Sequence, residues 1–239
     1  MHIIFQDNSD MNNYPGGKGG IYRHIINRIP PHEVYIETHL GFGGILRNKR
    51  RAKRNIGIEI APAIIKQWRQ NEPLDFELIH GDAIQFLKEF SFTGREFVYC
   101  DPPYLRETRK KQKTIYSFDY SRKDHEILLD LIKFLPCMVM ISGYSSELYS
   151  TKLKSWQTYS YQATCHHGVA TEMIWMNYPK ISMLHDYRYL GDDFREREKI
   201  KLKRERLIKK LSDMPDLERQ AIMSRISNVF ETKHEIIEE

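Results

Sequence analysis

Phe97-Val98-Tyr99-Cys100-Asp101-Pro102-Pro103-Tyr104 opens with an apolar run and closes with an acid, two prolines and an aromatic ring. Such a run predicts a short buried strand that ends in a rigid turn. Proline fixes φ and supplies no N–H, so the carbonyls around Asp101 and Pro102 stay available as acceptors. A carboxylate beside such a carbonyl suits a donor with two hydrogens, the exocyclic NH2 of a flat ring. Tyr104 offers a face on which that ring can stack. Asp101, Pro102, Pro103 and Tyr104 are therefore the candidate catalytic residues.

Outward from this stretch, apolar runs alternate with amphipathic ones. Residues 34–36, 55–60, 76–79, 97–100 and 138–141 read as strands, with a terminal hairpin over 156–164 and 172–178. Between them the pattern predicts a basic helix ending near Arg54, a helix opened by Pro62, and a short helix capped by Asp82. A further helix follows the capping box of Ser121 and Asp124. The expected fold class is α/β: a Rossmann-like, mostly parallel sheet with a terminal antiparallel hairpin and a C-terminal helical extension. Residues 1–190 form the expected catalytic domain and 191–239 the charged extension. Sheets of this kind bind ligands beyond the carboxyl ends of their strands. Glu37, Glu59, Asp82 and Asp101 all fall at or just past such ends.

The chain has 239 residues, a formal net charge of +5 and a pI near 8.9, which is compatible with a polyanionic partner. Its 3 cysteines are far apart, arguing for a reducing compartment and against a disulfide framework. Cys165-His166-His167 has no partner pair at ligand spacing, so no metal is expected. No stretch is long enough to span a bilayer, and the start lacks the features of a signal peptide. A cytoplasmic location is expected.

Four elements, in order, resemble the adenine-specific DNA methyltransferases of the Dam type. They are Tyr14-Pro15-Gly16-Gly17-Lys18, the stretch from Tyr35-Ile36-Glu37 to Gly41-Phe42-Gly43-Gly44, Gly81-Asp82, and Asp101-Pro102-Pro103-Tyr104. The resemblance spans roughly residues 14–180. It implies S-adenosyl-L-methionine as the methyl donor and the N6 amino group of adenine in double-stranded DNA as the acceptor, reached by base flipping. It also implies cofactor contacts from Tyr14, Gly17, Lys18, Glu37, Gly41, Gly43, Glu59, Asp82 and Asp101. Glu59 would hold the ribose hydroxyls, Asp82 the adenine amino group and Lys18 the carboxylate. Gly41 and Gly43 let backbone approach the ligand closely.

Arg106, Arg109, Lys110, Lys111 and Lys113, followed by Tyr116, Phe118 and Tyr120, suit phosphate contacts and base stacking. The chain departs from the family at Thr38-His39, where the family has Pro-Phe. It also has no room between Glu59 and Asp82 for a target-recognition segment. Other readings of the same motif are N4-cytosine, RNA or protein-glutamine methylation, or an inactive DNA-binding relic. The residues leave the target sequence, the oligomeric state and any pairing with a nuclease open.

Overall fold

The computed structural model describes residues 21–71, 73–109, 118–165 and 168–235. The chain divides into two units, one ending at Arg188 and one beginning at Tyr189. The first contains α1 (Tyr22–Ile26), β1 (Val34–Glu37), α2 (Gly44–Asn48), β2 (Arg54–Glu59), α3 (Pro62–Arg69), β3 (Glu77–His80) and α4 (Ala83–Glu89). It continues with β4 (Glu96–Cys100), α5 (Arg122–Ile132), β5 (Met138–Gly143), α6 (Glu147–Lys152), β6 (Gln157–Cys165) and β7 (Gly168–Met176). The second unit holds α7 (Phe194–Ser212) and α8 (Asp216–Glu235).

One seven-stranded sheet runs in the order β3-β2-β1-β4-β5-β7-β6. β1 to β5 are parallel, while β7 pairs antiparallel with both β5 and β6. This is the doubly wound sheet with a closing hairpin that the alternation of the sequence predicts. The central strands are covered on both faces: Tyr35, Ile36 and every residue from Phe97 to Cys100 are fully buried. Each such apolar side chain contributes about 1.5–3 kcal/mol by leaving water.

Local signals set the helix ends. Pro62 occupies the first turn of α3, and Asp82 accepts from the Gln85 N–H to cap α4. Both halves of the Ser121–Asp124 capping box form ahead of α5. The basic helix expected to reach Arg54 is corrected: α2 ends at Asn48, because the residues after it take other roles. Lys49 turns extended and buries its ammonium over the Tyr35 ring, 4.0 Å from the centroid, bonding Asn55 and the Arg50 carbonyl. Arg54 instead starts β2 and grips Glu77 of β3 through two hydrogen bonds of 2.6 and 2.8 Å. Among the described residues no helix is long and apolar enough to cross a membrane.

Gly43 caps α2 at φ 65°, and a Cβ there would meet the Trp68 ring at 2.8 Å. Gly41 is also left-handed at φ 49°, but a Cβ there meets nothing within 4 Å. Gly43→Ala should therefore cost about 1–3 kcal/mol of stability in denaturant unfolding, from backbone strain and overpacking together. Gly41→Ala should cost less, from strain alone. Equal losses would contradict this division between a packing glycine and one facing open space.

Candidate active site at the carboxyl edge of the sheet

Parallel pairing brings the four acids to one edge. Glu37 lies level with Gly57 on one side and Tyr99 on the other, and Glu59 lies level with His80. Asp101 follows β4 directly, and Asp82 follows β3 after Gly81. Like ends of parallel strands share an edge, so four positions spread along the sequence share it too.

The turn from Leu40 to Gly43 is held from both sides. The Gly41 N–H donates to Glu59 Oε2 at 2.8 Å, and the Gly41 carbonyl accepts from Trp68 Nε1 at 2.8 Å. Glu59 Oε1 accepts from the Ala61 N–H at 2.8 Å. An ionised carboxylate offers about four lone-pair sites, so two backbone donors leave acceptor capacity for a diol. Asp82 Oδ1 caps α4, at 2.8 Å from the Gln85 nitrogen.

Glu37 turns inward. It is buried, and its Oε2 accepts from the Tyr35 hydroxyl and the Leu46 N–H, both at 2.9 Å. Burial pushes its pKa up to about 8, against the pull of those two hydrogen bonds. Glu37 thus fastens the first turn of α2 to β1.

Asp101 sits where β4 ends. Its Oδ1 accepts from the Ser142 hydroxyl of β5 at 2.6 Å, and Ser142 lies 3.0 Å from the Tyr99 hydroxyl. With Ser142 donating to Asp101, Tyr99 donates to Ser142, so a buried relay fixes the rotation of the carboxylate. Tyr104 is fastened at its far end: its hydroxyl donates to Glu172 Oε2 at 2.8 Å, which also accepts from Tyr161 at 2.9 Å. The Tyr144 ring meets Tyr104 edge to face, with centroids 4.6 Å apart. Burial, with Asp101 and Glu172 nearby, pushes the Tyr104 hydroxyl well above its ordinary pKa, so it remains a neutral donor.

The expected phosphate contact from Arg109 is corrected. Its side chain is almost wholly buried and forms a bidentate pair with Asp119 at 2.6 and 2.9 Å, while Nε donates to the Tyr104 carbonyl at 2.6 Å. A guanidinium so placed braces the Asp-Pro-Pro-Tyr turn. Arg106 shares Asp119 at 3.2 Å and is half exposed. Lys110, Lys111 and Lys113 lie outside the described residues, as do Tyr14, Gly17, Lys18 and the His166-His167 pair.

Thr38-His39 has a structural use. His39 Nδ1 lies 2.8 Å from the Thr38 hydroxyl and Nε2 lies 3.0 Å from the Tyr120 hydroxyl, tying the glycine turn to the chain ahead of α5. Burial lowers the His39 pKa to about 3, so the ring is neutral. Thr38 donates weakly to the Tyr99 carbonyl at 3.4 Å, which assigns the His39 proton to Nδ1 and makes the Tyr120 hydroxyl the donor to Nε2.

Ser142, Tyr161 and Glu172 belong to none of the sequence motifs, and the pairing of His39 with Tyr120 follows from none of them. The signal that could have found them is their place near strand ends beside β4, or opposite one another in the terminal hairpin. Tyr161 and Glu172 are register partners there. Among the described residues no group of three or more His, Cys, Asp or Glu side chains is placed to hold a metal ion.

The residues fit an adenosine-bearing cofactor. Open space faces Gly41, and Glu59 retains acceptor capacity at the adjacent strand end.

Neither models of known protein families nor curated proteins match this sequence. Solved structures do resemble it. The Pyrococcus abyssi tRNA (uracil-54, C5)-methyltransferase in complex with S-adenosyl-L-homocysteine has 15% identity and a TM-score of 0.45, over 72% of this chain and 39% of that one. An rRNA methylase from Streptococcus thermophilus has 11% identity and a TM-score of 0.43, over 66% of this chain and 94% of that one. A dimethyladenosine transferase from Plasmodium falciparum has 14% identity and a TM-score of 0.43, over 66% and 60%. Each likeness is distant, and the chemistry of the site rests on its own residues.

Glu37 has a pH consequence. Its folded pKa lies above its unfolded one, so between about pH 4.5 and 8 the folded state binds more protons. Stability from this group is fully present below that window and is lost as pH rises through it. The Glu37→Gln variant, which keeps an acceptor for Leu46, should lose this decline when urea midpoints are compared across the window. Parallel pH profiles for the two proteins would show that Glu37 is not protonated on folding.

Proposed function

We propose that this chain is an S-adenosylmethionine-dependent DNA methyltransferase acting on the N6 amino group of adenine. The observation that carries the reading is the Asp101 carboxylate, held by Ser142 at the same sheet edge as the Gly41 turn and Glu59. The motif order along the sequence and the parallel sheet with its terminal hairpin support it further.

When bound, S-adenosylmethionine supplies an electrophilic methyl group on a sulfonium. Glu59 would accept from the ribose hydroxyls and Asp82 from the adenine amino group of the cofactor, with backbone at Gly41 lying close against it. The acceptor nitrogen is a poor nucleophile because its lone pair is delocalised into the purine ring. Asp101 and the Pro102 carbonyl would each accept one of its two hydrogens and draw the nitrogen toward tetrahedral geometry. Its lone pair would then be directed at the methyl group that the cofactor supplies. The surplus proton leaves along the Asp101 hydrogen bond to solvent. Most of the rate comes from alignment of the two reactants. In duplex DNA the nitrogen is hidden in the stack, so the base must be turned out, and Tyr104 would receive its face.

The test is incubation with isotopically labelled cofactor and mixed DNA and RNA, followed by digestion to nucleosides. Label in N6-methyladenine from DNA is the expected result; label confined to RNA or to methylcytosine would overturn the substrate. Asp101→Ala should abolish turnover and retain binding of S-adenosylhomocysteine. Ser142→Ala, which frees the rotation of the carboxylate, should lower kcat by about 10- to 100-fold with cofactor affinity unchanged. Full activity in the Ser142 variant would remove the relay from the mechanism.

A further inference from the structure

Charge in this chain is concentrated on α7. Nine Lys and Arg against three Glu give this 19-residue helix a net charge of +6, while the whole chain carries +5. The rest of the protein is therefore nearly neutral, and the basic character of the sequence belongs to one element.

The charge is also ordered. At 3.6 residues per turn, Arg195, Lys199, Lys203, Arg206 and Lys210 fall within an arc of about 80° along roughly 22 Å of helix. The three acids, Glu196, Glu198 and Glu205, fall outside that arc. All five cations are exposed, α7 buries no side chain, and none of the five forms an ion pair within the described residues. Like charges three and four residues apart repel and weaken a helix. A solvated helix ordinarily relieves this with alternating acids, and this face does not.

We infer that the Arg195–Lys199–Lys203–Arg206–Lys210 face of α7 is a docking surface for the phosphate backbone of duplex DNA. A linear cationic stripe is complementary to a linear polyanion, whose charges recur about every 1.7 Å of helix axis. The choice of DNA among polyanions rests on the proposed methyl transfer. The stripe reads no bases, so it contributes affinity independent of sequence, set by salt, while acceptor choice stays with the Asp101 turn.

The test compares the full-length protein with the quintuple variant R195Q/K199Q/K203Q/R206Q/K210Q and a control, K201Q/R204Q, on the other side of the helix. Duplex DNA affinity is measured by anisotropy over a range of salt. Because every substituted residue is exposed, the variants should keep their circular dichroism and melting temperature. The quintuple variant should bind at least about tenfold more weakly at physiological salt. Its salt slope should be shallower by about 2 or more, since each phosphate left unneutralised removes about 0.9 from the slope. The control should change the slope by less than about 1.

An unchanged slope in the quintuple variant, or an equal loss per charge in the control, would overturn the assignment. So would loss of binding to phosphatidylserine vesicles with DNA affinity intact. These readouts do not depend on turnover: absent methyl transfer with an altered slope would leave the DNA surface standing and remove only the proposed chemistry.

Discussion

Parallel strand pairing is the constraint on which the site depends. Because β3, β2, β1 and β4 run the same way in register, residues 37, 59, 82 and 101 are carried to one edge without any direct interaction having to recruit them. The hydrophobic strands supply the energy that holds this alignment, and the polar ends take their positions from it. A one-residue slip of β4 would turn Phe97 and Tyr99 to the opposite face and move Asp101 away from Ser142.

Given that edge, most of the remaining polar structure serves rigidity. Glu59 spans two loops through two backbone N–H groups, Glu37 anchors α2, and Ser142 holds Asp101. The terminal hairpin reaches back through Glu172 to fix the Tyr104 hydroxyl, so the antiparallel end of the sheet also acts as a support for the turn. Arg109 and Asp119 brace the same turn from its other side, through the Tyr104 carbonyl. Pre-set orientation of this kind matters most where a reaction gains its rate from alignment.

The strands and their alternation are legible in the sequence because apolar runs such as Phe97–Cys100 are a direct imprint of burial on both faces. Asp82 and Ser121 are legible because helix caps are local. Arg109 misleads because a basic residue beside a candidate site looks the same whether it meets a phosphate or Asp119, ten residues on. Glu172 and Ser142 are silent in the sequence, since their roles arise from strands brought together only by the fold. Thr38-His39 reads as a defect in the glycine turn and is instead a link from that turn to Tyr120.

Titration of S-adenosylhomocysteine into isotopically labelled protein, followed by backbone amide NMR, tests the central claim most directly. A cofactor seated at this sheet edge requires saturable shifts greatest at Gly41, Phe42, Glu59, Ile60 and Asp82, at the carboxyl ends of β1, β2 and β3. Absence of binding, or shifts centred on any other part of the sheet, would contradict it.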